Sequence, residues 1–146
     1  MLNFGGYDMA YINIYMNNPT AAGTDGTVVS QSGAQTSPIS VVLDKTKAET
    51  KAVKCAIRCD SGYKVSGNVT VSISGTTAAK WQLAVDNSYA DAAAAIAGAS
   101  WGDSITLSGV AATNTIFWAK AASTTDENPS KDTSVSIVAS CTIESA

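Results

Sequence analysis

The chain has 146 residues, 45% of them hydrophobic, which suffices for one domain with an ordinary core and leaves no expectation of a second. Only 14% are charged and the formal net charge is -3, so the composition excludes the broad basic surface that neutralises nucleic-acid phosphates. No run reaches the roughly 18 apolar residues of a membrane-spanning helix, and a composition rich in Ala, Ser, Thr, Val and Gly suits half-buried strands joined by small-residue turns.

Residues 1–8 have neither the basic start nor the apolar segment of a secretory signal, so the protein is expected to act where it is made or to leave with a larger particle. Phe4-Gly5-Gly6-Tyr7-Asp8-Met9 also reads as a translated ribosome-binding region ahead of a start at Met9, in which case residues 1–8 are leader. Ile12, Ile14 and Met16 then alternate with polar or aromatic neighbours, the period of two that marks a strand over residues 10–16. Asn17-Asn18-Pro19 stops it. Residues 20–37 are rich in Gly, Ser and Thr, with one short Thr27-Val28-Val29 island, and are expected to form a long loop or extended arm. On this reading residues 1–37 are an N-terminal strand and flexible arm, and residues 38–146 carry the sandwich.

Pro38 opens a second strand over residues 39–43, closed by a turn at Asp44-Lys45-Thr46-Lys47. The next strand is the clearest: Val53, Cys55, Ile57 and Cys59 share a core face while Lys54, Ala56 and Arg58 share a wet one. Lys45, Lys47, Lys51 and Lys54 are expected to form a solvated strand edge. Turns follow at Asp60-Ser61-Gly62-Tyr63 and Ser66-Gly67-Asn68. Val69, Val71 and Ile73, then Trp81, Leu83 and Val85, are expected to be hairpin partners. Residues 91–99 hold an Ala run of high helix propensity, expected as a one- or two-turn crossover. Ile105 and Leu107, residues 115–121, and the alternating Val135, Ile137, Ala139, Cys141 and Ile143 supply three more strands. The sum is about eight short strands at sandwich spacing, so the expected fold is an all-β, immunoglobulin-like β-sandwich, with a closed barrel as the alternative.

Cys55 and Cys59 lie four apart on one strand, roughly 13 Å at about 3.3 Å per residue, and cannot bridge each other. Either could approach Cys141 across or between sheets. Without an export signal, reduced and buried thiols are the expectation. A zinc site would need a fourth ligand beside three thiols, and no histidine exists.

The missing histidine also removes the commonest general base. The acids fall mostly in turns (Asp25, Asp44, Asp60, Asp86, Asp103, Asp126, Glu127 and Asp132), where Asp closes backbone turns. Asp126-Glu127-Asn128 clusters oxygen donors but matches no calcium-loop spacing. Asn68-Val69-Thr70 fits the glycosylation acceptor pattern but, without export, reads as an ordinary strand start. Trp81 belongs to a core face, Trp118 is a possible ligand-stacking residue, and Trp101, beside a turn, is the aromatic best placed for contact. No enzyme, catalytic residue, metal or cofactor is expected.

Four stretches carry a family resemblance: "AYINIYMNNPTAAGTDGT", "ETKAVKCAIRCDSGY", "TVSISGTTAAKWQLAVD" and "NTIFWAKAASTTDENPSKDTSVSI". Together they resemble small structural proteins in the virions of tailed phages that infect Clostridium-type hosts. The resemblance implies a capsid decoration protein, a small β-domain docked as a homo-oligomer on the major capsid protein, located in the virion, with no nucleic-acid or membrane partner. A tail tube or tail fibre component, and a carbohydrate-binding or adhesion module, are the alternatives.

Overall fold

The computed structural model describes residues 2–4, 11–30, 43, 49–123 and 134–146. Nine strands appear among them: β1 (Leu2–Phe4), β2 (Ile12–Met16), β3 (Thr27–Val29), β4 (Thr50–Cys59), β5 (Tyr63–Ser74), β6 (Trp81–Val85), β7 (Ser104–Ser108), β8 (Thr115–Ala122) and β9 (Ser136–Ser145). One helix, α1 (Ala92–Gly98), lies between β6 and β7. The strands form a four-stranded sheet in the order β1-β9-β5-β7 and a five-stranded sheet in the order β3-β2-β4-β8-β6, every pairing antiparallel. The expected all-β sandwich is therefore the fold.

From β4 to β9 the chain changes sheet at every connection. One consequence corrects the expected hairpin: β5 and β6 lie in opposite sheets, joined through a 3-10 turn at Ala78–Lys80. Alternation records which face a strand buries, not which strand lies beside it. Gly75 makes that crossing possible. It sits at φ 135°, and a Cβ there would lie 2.0 Å from the Ser134 carbonyl oxygen.

Between the sheets, Ile12, Ile14, Cys55, Ile57, Val69, Val71, Leu83, Phe117, Ile137 and Ile143 form one core, joined by Trp81, Cys59 and Cys141. Val85, expected on the same core face as Trp81 and Leu83, ends its strand exposed. The expected turn at Ser66-Gly67-Asn68 is an irregularity inside continuous β5. Ser66 faces Thr142 while Thr70 faces Ser140, so β5 advances four residues against two on β9. The even slip keeps Val65 and Val69 on the core side, and Gly67, at φ 78°, takes the left-handed conformation it needs.

The expected loop over residues 20–37 contains β3, paired with β2 from Ile14–Val29 to Met16–Thr27. Ser30, fully buried, then accepts the Ile137 backbone N–H at 2.9 Å and ties the end of β3 to the opposite sheet. Residues 31–37 lie outside the described residues, as do the strand expected over residues 39–43 except for Leu43, the turn after it, and Lys45 and Lys47. The other two lysines, Lys51 and Lys54, lie on β4 in the stretch that pairs with β8, ahead of residues 56–59, where β2 pairs along its other side.

The outer side of β4 is not uniformly wet. Ala52 and Ala56 are buried there, and Ala52, with Trp118 of β8 and Ala95 of α1, builds a second, smaller core against which Tyr89, Ile96 and Trp101 pack. Asp91 starts α1 by accepting the Ala94 N–H at 2.8 Å. A seven-residue helix is marginal alone, so burial of its Ala95 side against the sheet holds it. No helix among the described residues is long and apolar enough to cross a membrane.

Candidate functional site

The acidic side chains with described partners serve the architecture. Asp86 accepts the Trp118 indole N–H at 2.8 Å, Asp91 caps α1, and Glu49 and Glu144 pair with Lys51 and Lys64 at 3.7 and 3.6 Å. Asp60 acts through its backbone, donating its N–H to Tyr11 and accepting that of Tyr63. Among the described residues no three Cys, Asp or Glu side chains converge where a metal ion could be held. Asp44, Asp132 and the Asp126-Glu127-Asn128 cluster lie outside the described residues.

The densest polar cluster joins the loop after β2 to the start of β8. Asn114, 5% exposed, donates its side-chain N–H groups to the Thr20 carbonyl at 2.9 Å and the Asp25 carboxylate at 3.0 Å, while its own oxygen accepts from Arg58 at 2.6 Å. Arg58 also donates to the Asp25 carbonyl and lies 3.6 Å over the Tyr15 ring. Thr20 gives both its backbone N–H and its hydroxyl to Asp25 at 2.8 Å. These bonds, the backbone one first, hold the exposed Asp25 carboxyl below its ordinary value of 3.8. Every strong donor here already has an acceptor within the cluster, so it is a clasp that fixes a loop. Asn114 sits in a polar turn between threonines, and nothing in its neighbourhood in the sequence singles it out.

The three tryptophans divide. Trp81 is in the main core as expected, and Trp118, the possible stacking residue, is 3% exposed beneath α1. Trp101 is half-buried, with the Lys120 ammonium 4.5 Å from its ring centroid, so its face is occupied from within the chain. Beside this layer an open groove of about 790 Å³ is lined by Asn17, Asn18, Thr27, Lys54, Asp91 and Trp118 among others.

Cys55, Cys59 and Cys141 are free and buried, in keeping with the expected reduced thiols. Burial pushes Cys55 and Cys59 up to about 12, Cys59 with a further contribution from Cys141, and raises Cys141 as well. They are protonated and unreactive at neutral pH.

The outward side of the four-stranded sheet differs from all of these. Its outward positions are Ser66, Asn68, Thr70, Ser72 and Ser74 on β5, Ser104, Thr106 and Ser108 on β7, and Ser136, Val138, Ser140 and Thr142 on β9; Ser136 and Val138 are buried, and the exposed part is Asn68, Thr70, Ser104, Thr106, Ser108 and Ser140. Register sets them in rows: Thr70 lies between Thr106 and Ser140, Ser72 between Ser104 and Val138, and Asn68 beside Ser108. None is charged; the Lys64–Glu144 pair stands at one end. Asn68 and Thr70 of the acceptor pattern are thus ordinary members of this face. In the sequence these serines and threonines are visible as strand composition but not as a surface, because only the pairing of β5 with both β7 and β9 brings them side by side.

No family model matches the chain, and no curated protein or solved structure matches it either.

Proposed function

We propose that the chain is a non-enzymatic structural protein of a tailed-phage virion, a capsid decoration protein that docks in multiple copies on the outer capsid surface. The observation that carries the reading is the neutral hydroxyl face of β5, β7 and β9, whose rows span three strands without a charge. Its exposed part, Asn68, Thr70, Ser104, Thr106, Ser108 and Ser140, presents hydroxyl and amide groups and no charge. Its hydroxyls donate and accept alike, so it can lie against polar backbone or side chains of a broad partner without leaving a buried charge unpaired. Each such contact is weak, and repetition on a symmetric lattice makes weak contacts sufficient. The sequence resemblance supplies the kind of lattice.

A carbohydrate-binding module would present free aromatic faces to sugar rings. Here Trp81 and Trp118 are buried and Trp101 lies against Lys120, which favours the virion reading over that alternative.

The reading is tested by adding the purified chain to capsids prepared without it. Saturable co-sedimentation at a fixed ratio to the major capsid protein is expected, weakened by Thr70→Lys on the hydroxyl face. Failure to co-sediment, or saturation on isolated tails instead of capsids, would overturn it.

A further inference from the structure

A sheet edge offers unpaired backbone N–H and C=O groups, and proteins ordinarily blunt such edges with charge, proline, a bulge or a covering segment. Among the described strands, β1 and β3 end their sheets with only three residues each. The edge of β6 is closed by Gly102, whose N–H and carbonyl exchange hydrogen bonds with Leu83 at 2.9 and 2.7 Å. Among the described residues, β7 has none of these protections. It ends the four-stranded sheet, pairs regularly with β5 along all five residues, and contains neither charge nor proline.

Its sequence, Ser104-Ile105-Thr106-Leu107-Ser108, reads nearly the same in both directions about Thr106. We propose that β7 is a self-association edge, pairing antiparallel with β7 of a second copy about a two-fold axis through Thr106. In that register Ser104 faces Ser108 of the second copy, Ile105 faces its Leu107, and Thr106 faces its own equivalent. The inward-facing Ile105 and Leu107, 8% and 5% exposed, then meet apolar counterparts, and the outward positions meet hydroxyls. The nearest charge, Asp103, falls opposite Gly109 of the second copy, and the two Asp103 side chains stand roughly 20 Å apart at about 3.3 Å per residue. The contact is isologous, the requirement for a closed two-fold dimer. Two four-stranded sheets become one continuous sheet, and the neutral hydroxyl face doubles in width.

The pairing deepens the self-association expected of a decoration protein but is read on the purified chain alone. Absence of the chain from virions would therefore overturn the proposed function and leave this inference standing. Single cysteines on β7 report the register. Thr106→Cys places two thiols directly opposite, within disulfide reach, and is expected to cross-link to a dimer under copper–phenanthroline oxidation. Ser104→Cys or Ser108→Cys alone places the two thiols roughly 13 Å apart along the strand and should not cross-link. The mixture of the two should. Thr106→Lys sets like charges face to face and is expected to weaken the dimer by about fivefold or more in analytical ultracentrifugation, with an unchanged circular dichroism spectrum. Equal cross-linking of Thr106→Cys and Ser104→Cys overturns the proposal. So does a Thr106→Lys chain that associates as tightly as the unaltered one, or an unaltered chain that is monomeric at about 1 mM.

Discussion

Asn114 shows how much one side chain can hold. It joins Arg58 of β4, Asp25 and Thr20 across the sequence, and its replacement leaves a guanidinium and two acceptors facing a void. Asn114→Ala is expected to destabilise the domain by about 1–3 kcal/mol in urea unfolding, the range for abandoned buried polar groups. Asp25 adds a pH dependence. Its folded pKa lies below the ordinary 3.8, so its contribution is present above that value and is lost as pH falls through the lower folded one. Asp25→Asn should therefore reduce stability near neutral pH and converge with the unaltered protein in acid. The thiols act at the other extreme. With Cys55 and Cys59 raised from 9.0 to about 12, the folded state keeps protons that the unfolded chain sheds in between. Stability should fall as pH rises through that interval, and the native thiols should resist alkylation until the domain unfolds.

At the scale of elements, α1 and the outer side of β4 and β8 depend on one another. Trp118 is covered by α1 and donates to Asp86, so Trp118→Ala should cost about 3–5 kcal/mol, the cost of deleting a large buried aromatic. Asp91→Ala removes only the cap and should cost about 1 kcal/mol. Thermal or urea unfolding of the two variants separates packing from capping as the source of the helix. The strands that alternate cleanly, β2, β4, β7 and β9, were legible because one face of each meets the core and period-two alternation reports that directly. β3 was not, since Thr27-Val28-Val29 is too short to show a period. The pairing of Val69 to Ile73 with Trp81 to Val85 failed for a different reason: each run records its buried face, and nothing in either records which sheet it joins. The outer core was hidden because Ala52 looks like neutral filler between Lys51 and Lys54 until a helix covers it. Nothing marked the clasp, since its members are far apart in the chain and ordinary in their local setting.

For the whole molecule, the sheets present two kinds of outer face. The five-stranded sheet carries a helix and a second core, whereas the outward residues of β5, β7 and β9 form uncharged rows of mostly Ser and Thr ending at the unblunted edge of β7. A decoration protein has use for both features of the second sheet: a neutral face for a lattice and an edge for a neighbouring copy. The claim that joins them is location on the capsid, and electron cryomicroscopy of intact particles tests it most directly. The expected result is a two-layered β density of this size at symmetric positions on the outer capsid surface, with the face of β5, β7 and β9 turned toward the shell. Particles lacking that density, or carrying it only along the tail, would contradict the account.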